Sequence, residues 1–232
     1  MLWIEFFCKT REWIVCCTSQ KKPGVQGWLL DFLMKPLRKL RIKLINQAEG
    51  QVLEIGVGTG LNFELYTEKV EKVVGIEPDT KLLPRAHKRA EEINIPVEIH
   101  TIGAENMPFE DDSFDTIVVT WVLCTIPDVE GALAEMKRVL KPGGKLLWIE
   151  HTRSRHGLIR RIQDLFNPLW KPLAGGCHLN REPLEFLEQA GFITSGHRAR
   201  TSERWNLLPI YQGISQESQA PTEDEMGTSA VS

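Results

Sequence analysis

Two short apolar runs, each ending in a carboxylate and joined through a glycine turn, restrict what this chain can fold into more than any other feature. Val52-Leu53-Glu54-Ile55 leads into Gly56-Val57-Gly58-Thr59-Gly60, and Val73-Val74-Gly75-Ile76 leads into Glu77, twenty-one residues after Gly56. The pattern predicts a strand, a tight turn, a helix and a second strand tipped by an acid, the opening half of a nucleotide-binding α/β sheet. Glycines at alternate positions let the backbone turn sharply at the strand end and let a ligand approach closer than any Cβ would permit. Glu77, at the tip of the second strand, is placed to accept from both hydroxyls of a ribose.

Which nucleotide derivative fits is decided by two departures from a dinucleotide fingerprint. Gly-x-Gly-x-x-Gly requires a glycine where Leu61 stands. A pyrophosphate also needs an uncharged approach to the helix N-terminus, whereas Glu54 sits two residues ahead of Gly56. A carboxylate there suits a ligand that carries an ammonium and a sulfonium, a ribose for Glu77 and no phosphate. S-adenosylmethionine is such a ligand. An NAD-dependent oxidoreductase is disfavoured on the same residues, while a protein that binds the cofactor without turnover is compatible with them.

Further blocks follow in order: Gly103-Ala104-Glu105-Asn106-Met107-Pro108-Phe109, Asp112-Ser113-Phe114-Asp115-Thr116-Ile117-Val118-Val119, and Arg138-Val139-Leu140-Lys141-Pro142-Gly143-Gly144-Lys145-Leu146. With the glycine loop they give the chain, over residues 50–215, a clear resemblance to the class I S-adenosylmethionine-dependent methyltransferases. It most resembles the branch that includes ubiquinone/menaquinone and phospholipid methyltransferases. Val122-Leu123-Cys124, Glu150-His151 and Gly176-Cys177-His178-Leu179-Asn180-Arg181-Glu182 look most like the membrane-associated alkyl-thiol methyltransferase-like proteins. The resemblance implies that Gly56, Gly58 and Gly60 hold the aminocarboxypropyl end of the cofactor, with Glu54 orienting the loop near the ammonium. Glu77 then takes the ribose, Pro78 flanks the adenosine, and Ala104 and Glu105 meet the adenine. Relatives often place an acid just before that alanine, where this chain has Gly103, so Glu105 or a backbone carbonyl must substitute. Thr120, Trp121 and Leu123 should lie at the methyl-transfer pocket.

The expected fold is a Rossmann-like doubly wound α/β architecture. It has a mostly parallel seven-stranded sheet, helices on both faces and a helical cap after strand five. Strands are predicted at 51–55, 72–77, 97–101, 114–120, 144–150, 192–199 and 208–214, and helices at 28–46, 61–68, 80–92, 129–140 and 181–190. Residues 28–215 form the domain, 1–27 an apolar segment and 216–232 a disordered tail. The alternation breaks over 152–180, and an insertion there overhangs the carboxyl ends of the strands, where ligands bind in this architecture. Phe166 and Trp170 would contribute to an apolar ceiling over the acceptor; a helical element packing its own apolar face is the plainer alternative.

A net charge of −3 argues against a nucleic-acid binder, which usually carries a basic stripe. Five cysteines in no zinc-ligand spacing predict neither a disulfide framework nor a metal, and fit a reducing cytoplasm. Cys124 and Cys177 read as a buried small hydrophobe and a loop thiol. No stretch reaches the roughly 20 apolar residues that span a bilayer, and the order of charges in residues 2–17 is not that of a signal peptide. Residues 27–45 combine apolar residues at helical intervals with Lys35, Arg38, Lys39, Arg41 and Lys43. Such a helix either lies on an anionic membrane surface or simply covers the cofactor. The acceptor is expected to be a small, hydrophobic or lipid-like thiol, amine or quinone, with a soluble metabolite as the alternative. His151, at the tip of strand five, is the candidate general base, although a strand-end histidine bonded to a loop accounts for it equally.

Overall fold

The computed structural model describes residues 25–199 and 208–217. Most of the expected N-terminal apolar segment therefore lies outside the described residues, as does the chain beyond 217. Seven strands form one sheet in the order β3-β2-β1-β4-β5-β7-β6. They are β1 Gly50–Ile55, β2 Val70–Ile76, β3 Val97–His100, β4 Phe114–Thr120, β5 Leu140–His151, β6 Phe192–Ala199 and β7 Ile210–Glu217. The first five run parallel, and β7 lies antiparallel between β5 and β6. The order reverses beside β1, so a cleft opens between the ends of β1 and β4.

Parallel strands covered on both faces carry unbroken apolar runs, and Ile117-Val118-Val119 is fully buried on that account. Ile117 and Val119 pack with α4 (Val129–Val139) and α6 (Pro183–Gln189). Val118, Leu147 and Ile149 pack on the other face with α2 (Arg38–Ile45) and α3 (Leu83–Glu91). Pro183 opens α6 in its first turn, where its missing N–H costs nothing.

Three expectations need correction. The helix predicted over 28–46 is two helices, α1 (Val25–Met34) and α2, joined by a 3-10 turn over Lys35–Leu37. Pro36 cannot donate its backbone N–H and so interrupts the ladder. The helix predicted over 61–68 is only a 3-10 turn at Phe63–Leu65. Asn62, Phe63, Leu65 and Tyr66 are all buried, more inward positions than one helical face presents. Finally, β7 continues through Gln216 and Glu217, which pair with Ile193 and Phe192. A neighbouring strand satisfies their main chain whatever their side chains, so the polar composition of 216–217 does not make a tail.

The insertion is one helix, α5 (Gly157–Leu173), followed by a turn in which Gly175 and Gly176 have φ of 62° and 96°. Only Ile159 and Gln163 of α5 are buried. Leu158, Leu165, Phe166, Leu169, Trp170 and Leu173 are exposed.

Candidate active site

The cofactor end begins at the tip of β1. Gly56, Gly58 and Gly60 have φ of 67°, 56° and 78°, the left-handed conformation that side chains resist. A Cβ on Gly60 would lie 2.8 Å from the Phe63 ring, and one on Gly56 would lie 2.6 Å from Val122 Cγ2. Glu77 holds this loop: its Oε2 accepts from Gly58 N at 2.9 Å and its Oε1 from Asp79 N at 2.9 Å. A carboxylate has about four acceptor positions, so two remain for a pair of ribose hydroxyls. Burial raises the Glu77 pKa, and the Asp79 and Gly58 N–H groups partly offset the rise.

Glu54 lies beneath the loop, 1% exposed. It accepts from Asn62 Nδ2 at 2.9 Å and from the Tyr66 hydroxyl at 2.7 Å. Burial pushes its pKa up to about 7 against those two bonds. Asn62 Nδ2 also reaches Thr120 Oγ1 at 3.1 Å, which ties the β1 and β4 tips together. Glu54 is therefore an anchor for the turn after the loop, and burial holds back its negative charge.

Sequence reasoning missed Asp31 on α1. The Thr59 hydroxyl donates to it at 2.5 Å, and Arg85 and Arg89 both pair with it from α3. Burial opposes its ionisation, but the hydrogen bonds from Arg89 and Thr59 outweigh that and hold its pKa below the usual range. Arg89 also donates to Thr59 O at 2.6 Å. This clamp fixes α1 over the glycine loop. An acid among apolar residues of an N-terminal helix was the available signal.

Of the remaining expected cofactor residues, Pro78 is exposed beside Glu77 and Ala104 is buried. The Glu105 carboxylate stands where a side chain on residue 103 would point, so it is on hand for the role that Gly103 cannot fill. Thr120 and Trp121 sit at the β4 tip, and Trp121 has a φ of 57°. That is a strained conformation for a bulky residue, and such strain concentrates at functional sites. Leu123 does not line the pocket. It is fully buried in the core on the α4 face, because Glu150 and Arg181 grip its backbone and turn it inward.

The acceptor side holds what the sequence concealed. Cys124 in the β4 loop, His151 at the β5 tip and Cys177 after α5 offer donor atoms that all lie within 4.8 Å of one another. His151 Nε2 is 3.0 Å from Cys177 Sγ. The Cys177 turn is fastened to the β4 loop by His178, whose N and Nδ1 both contact Cys124 O, at 2.9 and 3.0 Å. Glu150 Oε1 accepts from Val122 N and Leu123 N at 2.6 and 2.8 Å, and Arg181 Nη1 donates to Leu123 O and Ile126 O.

Burial lifts the Glu150 carboxyl to about 7. Cys124 donates to Cys177, which raises the Cys124 pKa and lowers that of Cys177. The bond to Cys177 raises the pKa of His151 despite its burial. Nothing in the spacing 124, 151, 177 announces this cluster, since the fold alone brings the three segments together.

Phe166 and Trp170, the expected ceiling, are 52% and 39% exposed. Trp170 stands beside Cys177, at the cluster, whereas Phe166 faces outward. A second cleft of about 460 Å³ lies at the opposite, amino-terminal strand ends. Its Lys145 and Lys141 already pair with Glu49 and Asp115, so it offers little to a ligand.

Comparison with known proteins finds relatives among methyltransferases. A family profile described as a methyltransferase domain matches residues 53–148. A rat thiol S-methyltransferase, TMT1B, is 34% identical over 62% of this chain, and the match spans 60% of the rat protein's length. A phosphatidylethanolamine N-methyltransferase from Cereibacter sphaeroides is 35% identical over 62% of this chain and 72% of its own. Among solved structures, an S-adenosylmethionine-dependent methyltransferase from Methanosarcina mazei aligns with a TM-score of 0.60 at 24% identity. That alignment covers 76% of this chain and 96% of the other.

Proposed function

Because this chain belongs to the class I S-adenosylmethionine-dependent methyltransferases, we propose that it methylates a small apolar acceptor, with a thiol as the foremost candidate. S-adenosylmethionine supplies, when bound, an electrophilic methyl group on a sulfonium. The residues that would hold it are Gly56 to Gly60, Glu54 beneath them, Glu77 for the ribose and Ala104 with Glu105 for the adenine. Alignment of nucleophile and methyl group in a site without water can lower the barrier by roughly 7–11 kcal/mol. The protein's main task is therefore positioning.

The observation that carries the acceptor reading is the environment of His151. It is a buried histidine at the strand tip beside Trp121's strained turn, with Cys177 as partner and Trp170 close by. An acceptor thiol entering there meets an apolar wall and a ring nitrogen placed to take its proton, with a pKa raised by the bond to Cys177 against the effect of burial. The names of two relatives, a thiol S-methyltransferase and a phosphatidylethanolamine N-methyltransferase, favour apolar or lipid-borne acceptors.

Delivery from a membrane surface is part of the same reading. Trp28 and Phe32 stack on the exposed side of α1 with ring centroids 5.8 Å apart, next in the chain to exposed Lys35, Arg38, Lys39 and Lys43. This is the composition of a helix pair that rests in a lipid interface. Arg41 does not contribute, being buried. No helix among the described residues is long and apolar enough to cross a membrane.

The test is release of S-adenosylhomocysteine against a panel of alkyl thiols, phosphatidylethanolamine and quinols, with and without anionic vesicles. Turnover fastest with apolar thiols supports the proposal. Turnover with amines or quinols but not thiols replaces the acceptor, and no turnover with any acceptor despite cofactor binding points to a non-catalytic binding protein.

A further inference from the structure

The cluster beside the acceptor pocket has the donors of a metal site. We propose that Cys124, His151 and Cys177 bind a zinc ion through Sγ, a ring nitrogen and Sγ, leaving its fourth position for the acceptor. Two sulfurs and an imidazole suit zinc among the common divalent metals, and three protein ligands with one open position is the arrangement of a catalytic rather than a structural zinc. Zinc–sulfur and zinc–nitrogen bonds of about 2.3 and 2.0 Å place tetrahedral donors roughly 3.3–3.8 Å apart. The three donors here lie within 4.8 Å of one another, so His151 Nε2 and Cys177 Sγ, at 3.0 Å, would part slightly and a pair at the upper limit would close by about 1 Å.

Contacts among protein groups hold the three donors together. The turn carrying Cys177 is locked by the left-handed Gly175 and Gly176, by Leu179 N on Asn167 Oδ1 at 2.8 Å and by His178 on Cys124 O. His151 is 6% exposed and its Nδ1 has no partner among the described residues. Coordination through one ring nitrogen would settle the tautomer. Two thiolates would also neutralise the charge of a divalent cation. Glu150 Oε2, likewise buried and without a partner among the described residues, leaves an acceptor free in the shell around the site.

Position connects the site to methyl transfer. Val122 packs against Gly56 of the cofactor loop, and Cys124 follows two residues later, at most about 7 Å of chain. On the thiol reading proposed above, with His151 as a zinc ligand in place of a base, the acceptor would enter the fourth position as a thiolate and its proton would leave to solvent. The sulfur then forms a bond to the methyl carbon, and the carbon–sulfonium bond breaks with its electron pair remaining on the cofactor sulfur. The product thioether is a poor zinc ligand and departs.

The test uses the reduced full-length chain, stripped of metal by chelator and titrated with Co²⁺ and then Zn²⁺. The expected result is uptake of one equivalent, with thiolate-to-cobalt charge-transfer absorption and the strong visible bands of tetrahedral cobalt, bleached by Zn²⁺. The C124S/C177S variant should lose these bands and keep its affinity for S-adenosylmethionine by calorimetry. A wild-type chain that takes up no metal, a pale octahedral spectrum, or bands that survive in C124S/C177S would overturn the site. If C124S/C177S does not fold, the C8S/C16S/C17S variant decides: Cys124 and Cys177 are its remaining thiols, so it should keep the cobalt bands, and their loss there would overturn the site. Metal uptake in a chain that methylates no thiol would refute the thiol acceptor and leave the zinc site standing.

Discussion

The proposed cofactor cradle rests mainly on one continuous run of chain, Glu54 to Glu77, whereas the acceptor side gathers Cys124, His151 and Cys177 from segments before and after α5. The first is defined largely by backbone: left-handed glycines, a strand-end turn, and N–H groups held by Glu77. The second is defined by side chains, whose placement depends on the sheet, on the α5 insertion and on a turn bolted across the gap. A backbone site tolerates little and fails outright, while a side-chain site is altered residue by residue. That difference explains how one cofactor cradle can serve many acceptors.

The hardest blow to the cradle should come from Gly58→Val. A β-branched residue at φ 56° is strained by roughly 1–2 kcal/mol from its backbone alone, and its side chain would enter the cofactor's space. Calorimetry should show no S-adenosylmethionine binding, with circular dichroism unchanged. Binding that survives would mean the loop is not the cradle. Glu77→Ala comes next, since it removes two charge-assisted hydrogen bonds to ribose, together on the order of 2–4 kcal/mol. A dissociation constant that does not move would remove the ribose role from Glu77.

Buried carboxylates give the comparison a pH signature. Glu54 has a folded pKa of about 7 against an ordinary 4.5, so folding favours its protonated form. The associated stability is fully present below about pH 4.5 and is lost as pH rises through 7, a change on the order of 3 kcal/mol. Glu150 and His151 on the acceptor side are shifted upward as well and act in the same direction. The carboxylates shifted downward, such as Asp31 and Asp115, act only in more acidic solution. Glu77 is shifted upward too, while Cys177, whose thiol is pulled down to about 4, acts in the opposite sense over this range. One group opposes four, so the melting temperature of the cofactor-free protein should fall between pH 5 and 8. Glu54→Gln should flatten that fall only in part, because Glu150 and His151 remain. A melting temperature that rises over this range contradicts both assignments.

Asp31→Ala is the smallest of the changes at the cradle. The clamp is about one-seventh exposed at Asp31 and a quarter exposed at its arginines, so solvent screens it, and the loss should be about 1–2 kcal/mol in cofactor affinity and stability. An unchanged affinity would show that α1 is not needed to hold Thr59.

These regions also differ in how much of them the sequence discloses. That Glu54, Gly56, Gly58, Gly60 and Glu77 meet at the tips of β1 and β2 was legible because glycine spacing and a strand-end acid are local signals. The seven strands were legible because parallel strands need apolar runs such as Ile117-Val118-Val119. The helix expected at 61–68 misled because the inward pull of four side chains overrides helical periodicity. Leu123 misled because adjacency to a pocket in sequence says nothing of which way a side chain turns once Glu150 and Arg181 hold its backbone. Cys124 and Cys177 looked unremarkable apart, and their meeting at His151 is a product of topology, which no spacing rule conveys.

Independence of the two regions is best measured on a single variant, Trp170→Ala, by recording the Michaelis constant for an apolar thiol and the dissociation constant for S-adenosylmethionine on the same preparation. Trp170 stands by Cys177 and is 39% exposed, so its loss should cost about 1 kcal/mol of acceptor binding, roughly a fivefold rise in the Michaelis constant. The cofactor constant should stay where it was, because nothing on α5 shapes the run from Gly56 to Gly60. A cofactor constant that rises in step with the Michaelis constant would contradict the separation, and would make Trp170 part of the structure common to both sites.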